Sequence, residues 1–155
     1  MATNPDFSDM LAALSDEGAI YLIVGAHAVM HYTEPRYTKD LDLWVRPDPE
    51  NAERVFRALS RFGAPLSGVS PVDFATPGTI FQMGLPPNRI DVITSIGGVE
   101  FDEAWASRRA TSYGQQATQI PSAEILVRNK RSVGRAQDLV DAEALDRSLG
   151  RRAGS

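Results

Sequence analysis

The sequence predicts an α/β (α+β) domain, and three observations carry that prediction. Residues 19–24 are almost continuously apolar and stop at Gly25-Ala26, after which residues 27–32 suit a helix, giving strand, tight turn, helix. Residues 40–45 alternate, with Leu41, Leu43 and Val45 apolar and Asp40 and Asp42 between them, which is the period of a half-buried strand. Capped amphipathic segments and short apolar runs follow one another along the rest of the chain.

In chain order, Asn4-Pro5 starts a helix and Gly18 stops it, because proline at the first turn loses only an N–H that would be unpaired anyway. Phe7, Met10, Leu11 and Leu14 recur at helical spacing, so this helix packs and carries no chemistry. The strand-turn-helix of residues 19–32 comes next. His27 and His31 are four apart but lack the glutamate of the zinc-protease pattern; His27 reads as a packed ring and His31 as a polar group near the site. Glu34-Pro35 ends the helix, and Arg36 and Thr38 lead into the acid strand, sharing its face if extended geometry begins there.

Asp48-Pro49-Glu50 opens a second amphipathic helix with Val55, Phe56, Leu59 and Phe62 inward and Gly63 at its end. Its arginines, Arg54, Arg57 and Arg61, read as a solvated face rather than a nucleic-acid contact. Residues 64–78 form a long loop expected to border a base or acceptor pocket. Ile80, Phe81 and Met83 mark a strand, Pro86-Pro87-Asn88 a turn, and residues 89–93 a further strand interrupted by Asp91. A short helix over residues 101–107 and a polar hairpin around Tyr113-Gly114 follow. Ser122 caps a helix reaching Lys130, and residues 135–145 form another with Leu139, Val140 and Leu145 inward. One domain over residues 1–150 is expected, with residues 151–155 a frayed tail.

Composition bounds the function. The 155 residues are 43% hydrophobic, enough for one ordinary core, and the net charge of −4 provides no global basic field for gripping nucleic acid. There is no cysteine, so disulfides and thiolate metal sites are excluded, and no apolar run reaches membrane-spanning length. A soluble cytoplasmic protein is expected.

The chemistry concentrates in two places. Asp40 and Asp42, two apart on a strand, leave the same face, where they either repel each other or hold a divalent cation between them. The glycine at the strand-helix junction permits close approach of backbone to a ligand, and the first amides of the helix suit an anionic phosphate. Asp91 adds a third carboxylate: a lone acid among Ile90, Val92 and Ile93 is costly to bury unless it is paired or metal-bound.

The succession Gly25-Ala26, Arg36-x-Thr38-x-Asp40-x-Asp42 and Arg89-Ile-Asp-Val-Ile93 resembles the nucleotidyltransferase superfamily that includes DNA polymerase β. It is most similar to small bacterial nucleotidyltransferase-like proteins related to the toxin halves of abortive-infection systems. The resemblance implies a polymerase-β-like nucleotidyltransferase fold, a small mixed β-sheet flanked by helices. It also implies transfer of a nucleoside monophosphate from a nucleoside triphosphate to a hydroxyl acceptor. Asp40, Asp42 and Asp91 would be the catalytic, metal-holding acids for two Mg2+ ions, with Mn2+ as a substitute. Gly25, Ala26, Arg36, Thr38 and Lys130 would bind nucleotide, with His31, Arg135 and Asp138 as further site candidates. Ala26 departs from the usual second glycine or serine, and Gln137 stands where the relatives often carry lysine. The acceptor stays open among an RNA or tRNA end, a protein and a small molecule, as does a cognate antitoxin partner. The alternative is a catalytically silent nucleotide- or partner-binding module of the same fold.

Overall fold

The computed structural model describes residues 3–85 and 88–150; the expected tail at residues 151–155 and the Pro86-Pro87 part of the expected turn lie outside them. The architecture is mixed α+β. Helix α1 (Pro5–Asp16) leads to β1 (Tyr21–Val24), α2 (Gly25–Tyr32), β2 (Asp40–Val45) and α3 (Pro49–Phe62). Then come β3 (Ile80–Met83), β4 (Arg89–Ile93), α4 (Phe101–Ala106), the hairpin β5 (Arg109–Tyr113) and β6 (Gln116–Ile120), α5 (Ala123–Val133) and α6 (Ala136–Ser148). The expected caps are in place. The Asn4 side chain accepts from the Asp6 and Phe7 amides, the Asp48 side chain from the Asn51 amide, and the Ser122 side chain from the Ile125 amide. Gly63 ends α3 in the left-handed conformation.

The main sheet runs β1-β2-β4-β3, with β1 antiparallel to β2, β2 parallel to β4 and β4 antiparallel to β3. The pleat divides β2 and β4 between two faces. Leu41, Leu43, Val45, Ile90 and Val92 join the larger core with Phe7, Leu11 and Leu14 of α1 and Val55 and Leu59 of α3. On the opposite face, Trp44 packs with Val99, with Phe101 and Ala104 of α4 and with Ile125 of α5, and Ile93 lies against this second cluster. Asp40, Asp42 and Asp91 share that second face by alternation, at the end of the strands where the apolar cover stops.

Residues 64–78 are anchored by a 3-10 turn at Pro71–Ala75 that packs against α3 and buries Phe74 completely in the larger core. One expectation changes. In α6, Leu139 and Val140 are 51% and 59% exposed, while Asp138, Asp141, Ala142 and Leu145 form the buried stripe. Helical periodicity fits either face, and the charges that select this one come from elsewhere in the chain. Among the described residues no helix is long and apolar enough to cross a membrane.

Candidate active site

Strand register brings the acids together. Asp42 lies directly opposite Asp91 across the parallel β2–β4 pair, and Asp40 lies opposite Arg89. On its other side Asp42 faces Val24, the last residue of β1. Gly25 follows with φ +69° and opens α2. A side chain at Gly25 would run into Asp42: its Cβ would lie 3.0 Å from the Asp42 Cγ and 3.2 Å from the Asp42 Cβ, with Oδ2 closer still. Glycine is required there on two counts, the left-handed backbone and the space. No side chain caps the α2 N-terminus, so its first amides and the positive end of its dipole stand beside the acid pair.

The carboxyl of Asp42 is raised from 3.8 to about 6. Burial is the main cause, followed by the negative charges of Asp91 and Asp40; Lys130 and Arg89 oppose the rise without cancelling it. The patch is therefore short of positive charge. Arg89, two residues before Asp91 on the same strand face, supplies part of what there is, with Lys130. The Arg89 Nε and Nη2 donate to the two Asp91 oxygens at 3.2 and 3.3 Å, and Nε lies 4.0 Å from an Asp40 oxygen.

Three hard carboxylates on one sheet face, two of them in register, with a charge deficit at the centre, fit a hard divalent cation by donor chemistry. Among the described residues no three His, Cys, Asp or Glu side chains converge closely enough to hold an ion as they stand. The charge partner of Asp91 in this conformation is Arg89.

The C-terminal helices bring a second charged cluster. Asp138 and Asp141 of α6 are each 2% exposed. Lys130 Nζ lies 3.2 Å from one oxygen of each, and Arg36 makes a bidentate pair with Asp141 at 2.6 and 3.2 Å. The Arg135 Nε donates to Asp138 at 2.7 Å, and the Gln137 amide donates to Asp141 at 2.9 Å. The Asp138 carboxyl is held low by Arg135 and Lys130 despite burial. Burial pushes Asp141 up, and hydrogen bonds from Arg36, Gln137 and Lys130 more than reverse it. A solvated charged face for these two acids is thereby excluded.

The remaining candidates are placed as follows. Ala26 lies in the first turn of α2. Thr38 stays short of the strand, its hydroxyl 3.3 Å from the Asp40 amide that donates to it, so extended geometry does not begin at Arg36. His31 is exposed, with Thr111 of β5 and the Tyr32 ring as its partners, and neither contact links it to the carboxylates. His27 is packed as expected, edge-on to Phe7 and Tyr113. Burial holds its imidazole toward the neutral form, against a hydrogen bond to the Asp40 backbone. Phe7, His27, Met30, Arg36, Thr38 and Tyr113 line a mainly apolar cavity of about 660 Å³ beside the entry to β2. The α3 arginines are ion-paired, Arg54 with Glu50 and Arg57 and Arg61 with Glu17.

Sequence reasoning passed over Arg89, although its position two before Asp91 in an alternating strand was a usable signal. Nothing local to α6 indicates the burial of Asp141. A scan against protein-family models finds no match for this chain, and a search of curated proteins finds none either.

Proposed function

We propose that this chain is a metal-dependent nucleotidyltransferase of the polymerase-β-like type. It would move a nucleoside monophosphate from a nucleoside triphosphate to a hydroxyl on RNA, protein or a small molecule. The observation that carries this reading is the register of Asp42 with Asp91 beside a glycine whose missing side chain leaves room for the Asp42 carboxylate. Asp40, Asp42 and Asp91 would hold two Mg2+ ions, or Mn2+ in their place. When bound, these ions supply Lewis acidity at the α-phosphate and neutralise the leaving pyrophosphate.

The chain's own groups divide the remaining work. Strand order puts Asp42 between Gly25 and Asp91. The triphosphate accordingly enters over the Gly25 and Ala26 amides, and the acceptor hydroxyl approaches from the Asp91 side. Lys130, fixed between Asp138 and Asp141, places a positive charge within electrostatic reach of Asp42 and binds the β- and γ-phosphates as a point charge. Arg36 and Thr38 hold the entry to β2 and the wall of the adjoining cavity, which has room for a base. The similarity of the motif order to abortive-infection toxins makes a cognate antitoxin the protein partner to seek.

Radiolabelled triphosphates, supplied one at a time with Mg2+ and cell extract, test the reading. Label in RNA or protein that is lost in Asp42→Asn supports it, and nucleotide binding without transfer from any of the four sinks it. The second reading, a silent nucleotide-binding module, is favoured by one observation: Arg89, Arg36 and Lys130 are all engaged with internal carboxylates.

A further inference from the structure

Arg89 is placed unlike any other basic residue among the described residues. It begins β4, its side chain lies on the face that carries the three acids, and it is still one-third exposed. It forks onto Asp91 through two nitrogens and stands 4.0 Å from Asp40, spanning the β2–β4 pair. Lys130, the other cation near Asp42, is nearly buried and tied to two carboxylates of α6. Among the described residues, both ion pairs of Arg89 are to acids of the candidate site.

A guanidinium forked onto both oxygens of a carboxylate competes with a divalent ion for that carboxylate, because it occupies a lone pair on each oxygen and its positive charge repels the ion. We propose that Arg89 is the resident counter-cation of the carboxylate site. It neutralises Asp91 and Asp40 while the site is empty, gives way when a divalent ion binds, and then takes a phosphate of the incoming triphosphate as its new anionic partner. The inference rests on the nucleotidyltransferase reading for the identity of the ion and the phosphate. Its physical basis is the competition for Asp91. Guanidinium suits both partners, since its planar fork matches carboxylate and phosphate oxygens alike. Its long side chain, anchored at the strand's first residue, allows the exchange without moving the sheet.

The exchange predicts opposite effects of one substitution on two ligands. Arg89→Gln removes the competing charge and leaves the buried core untouched. Titration of Mn2+ into the nucleotide-free protein by calorimetry should show binding tightened by about tenfold relative to wild type, because no cation has to leave. At saturating Mn2+, a non-hydrolysable triphosphate should bind about tenfold more weakly to the variant. Arg89→Lys keeps the charge and should restore competition against Mn2+, while recovering only part of the triphosphate affinity because a single ammonium cannot fork. Circular-dichroism melts of each variant with and without Mn2+ confirm that the folded protein is being titrated.

Unchanged or weaker Mn2+ binding in Arg89→Gln overturns the exchange, as does unaltered triphosphate affinity. If Mn2+ and triphosphate behave as predicted but no transfer to any acceptor is found, the exchange stands and the transferase activity falls. If wild type and both variants ignore Mn2+ altogether, both fall together.

Discussion

Replacing Asp42 by Asn should stabilise the metal-free protein, and the size and pH dependence of the gain follow from the geometry. In the folded state the Asp42 carboxyl titrates near 6 rather than 3.8, because it is buried and faces Asp91 and Asp40. Ionising it therefore costs the folded state roughly two pK units, or about 3 kcal/mol at full strength. Solvent at the open end of the site screens part of this, which leaves about 1–2 kcal/mol. Because the folded pKa lies above the unfolded one, wild-type stability is undiminished below about pH 4, falls as the pH rises toward 6, and stays reduced above it. Asn has no charge to bury. For a 155-residue chain the variant should melt about 3–6 °C higher at pH 8 in chelating buffer, and the difference should shrink toward zero near pH 4.5. Melts at a series of pH values measure this directly. A variant that melts lower than wild type at pH 8, or a gain that ignores pH, would show that Asp42 is a structural partner and that the repulsion is not there.

Gly25→Ala should cost about 1–3 kcal/mol in urea denaturation, since it combines left-handed strain with a collision against Asp42, and Asp42→Asn in the same chain should not relieve it. Asp141→Ala strands Arg36, takes from Lys130 one of its two carboxylates, and should destabilise by about 3 kcal/mol at pH 7. This loss has the opposite pH dependence to that of Asp42. The folded carboxyl of Asp141 is depressed, so its contribution is present above the unfolded value of 3.8 and disappears as the pH falls through the folded one. Leu139→Ser on the exposed side of α6 should change stability by no more than about 0.5 kcal/mol, whereas Leu145→Ala in the core should cost about 2–4 kcal/mol.

Local signals carried much of the fold. Asn4, Asp48 and Ser122 are caps whose side chains do what short-range chemistry dictates, and the alternation of residues 40–45 is enough to send Leu41 and Asp42 to opposite faces. The carboxylate site was partly readable for the same reason, since Gly25 and the acid pair are marked by residue type at a strand boundary. The placement of Asp91 needed more than local pattern. Its pairing with Asp42 depends on β4 lying parallel to β2, which no short-range feature of residues 89–93 specifies. In α6 the hydrophobic pattern pointed the wrong way. Leu139 and Val140 face solvent because burying Asp138 and Asp141 becomes favourable once Lys130, Arg36 and Arg135 arrive to neutralise them. Amphipathicity counts apolar residues and is blind to such charge pairing.

The most direct test of the central claim supplies the chain with Mg2+, cell extract and triphosphates labelled at either the α- or the γ-phosphate, comparing wild type with Asp91→Asn. If Asp40, Asp42 and Asp91 serve one nucleotidyl-transfer site, acceptors take label from the α-position only, and the asparagine variant transfers none. Label arriving from the γ-position, or α-transfer that survives loss of the Asp91 charge, would contradict the account.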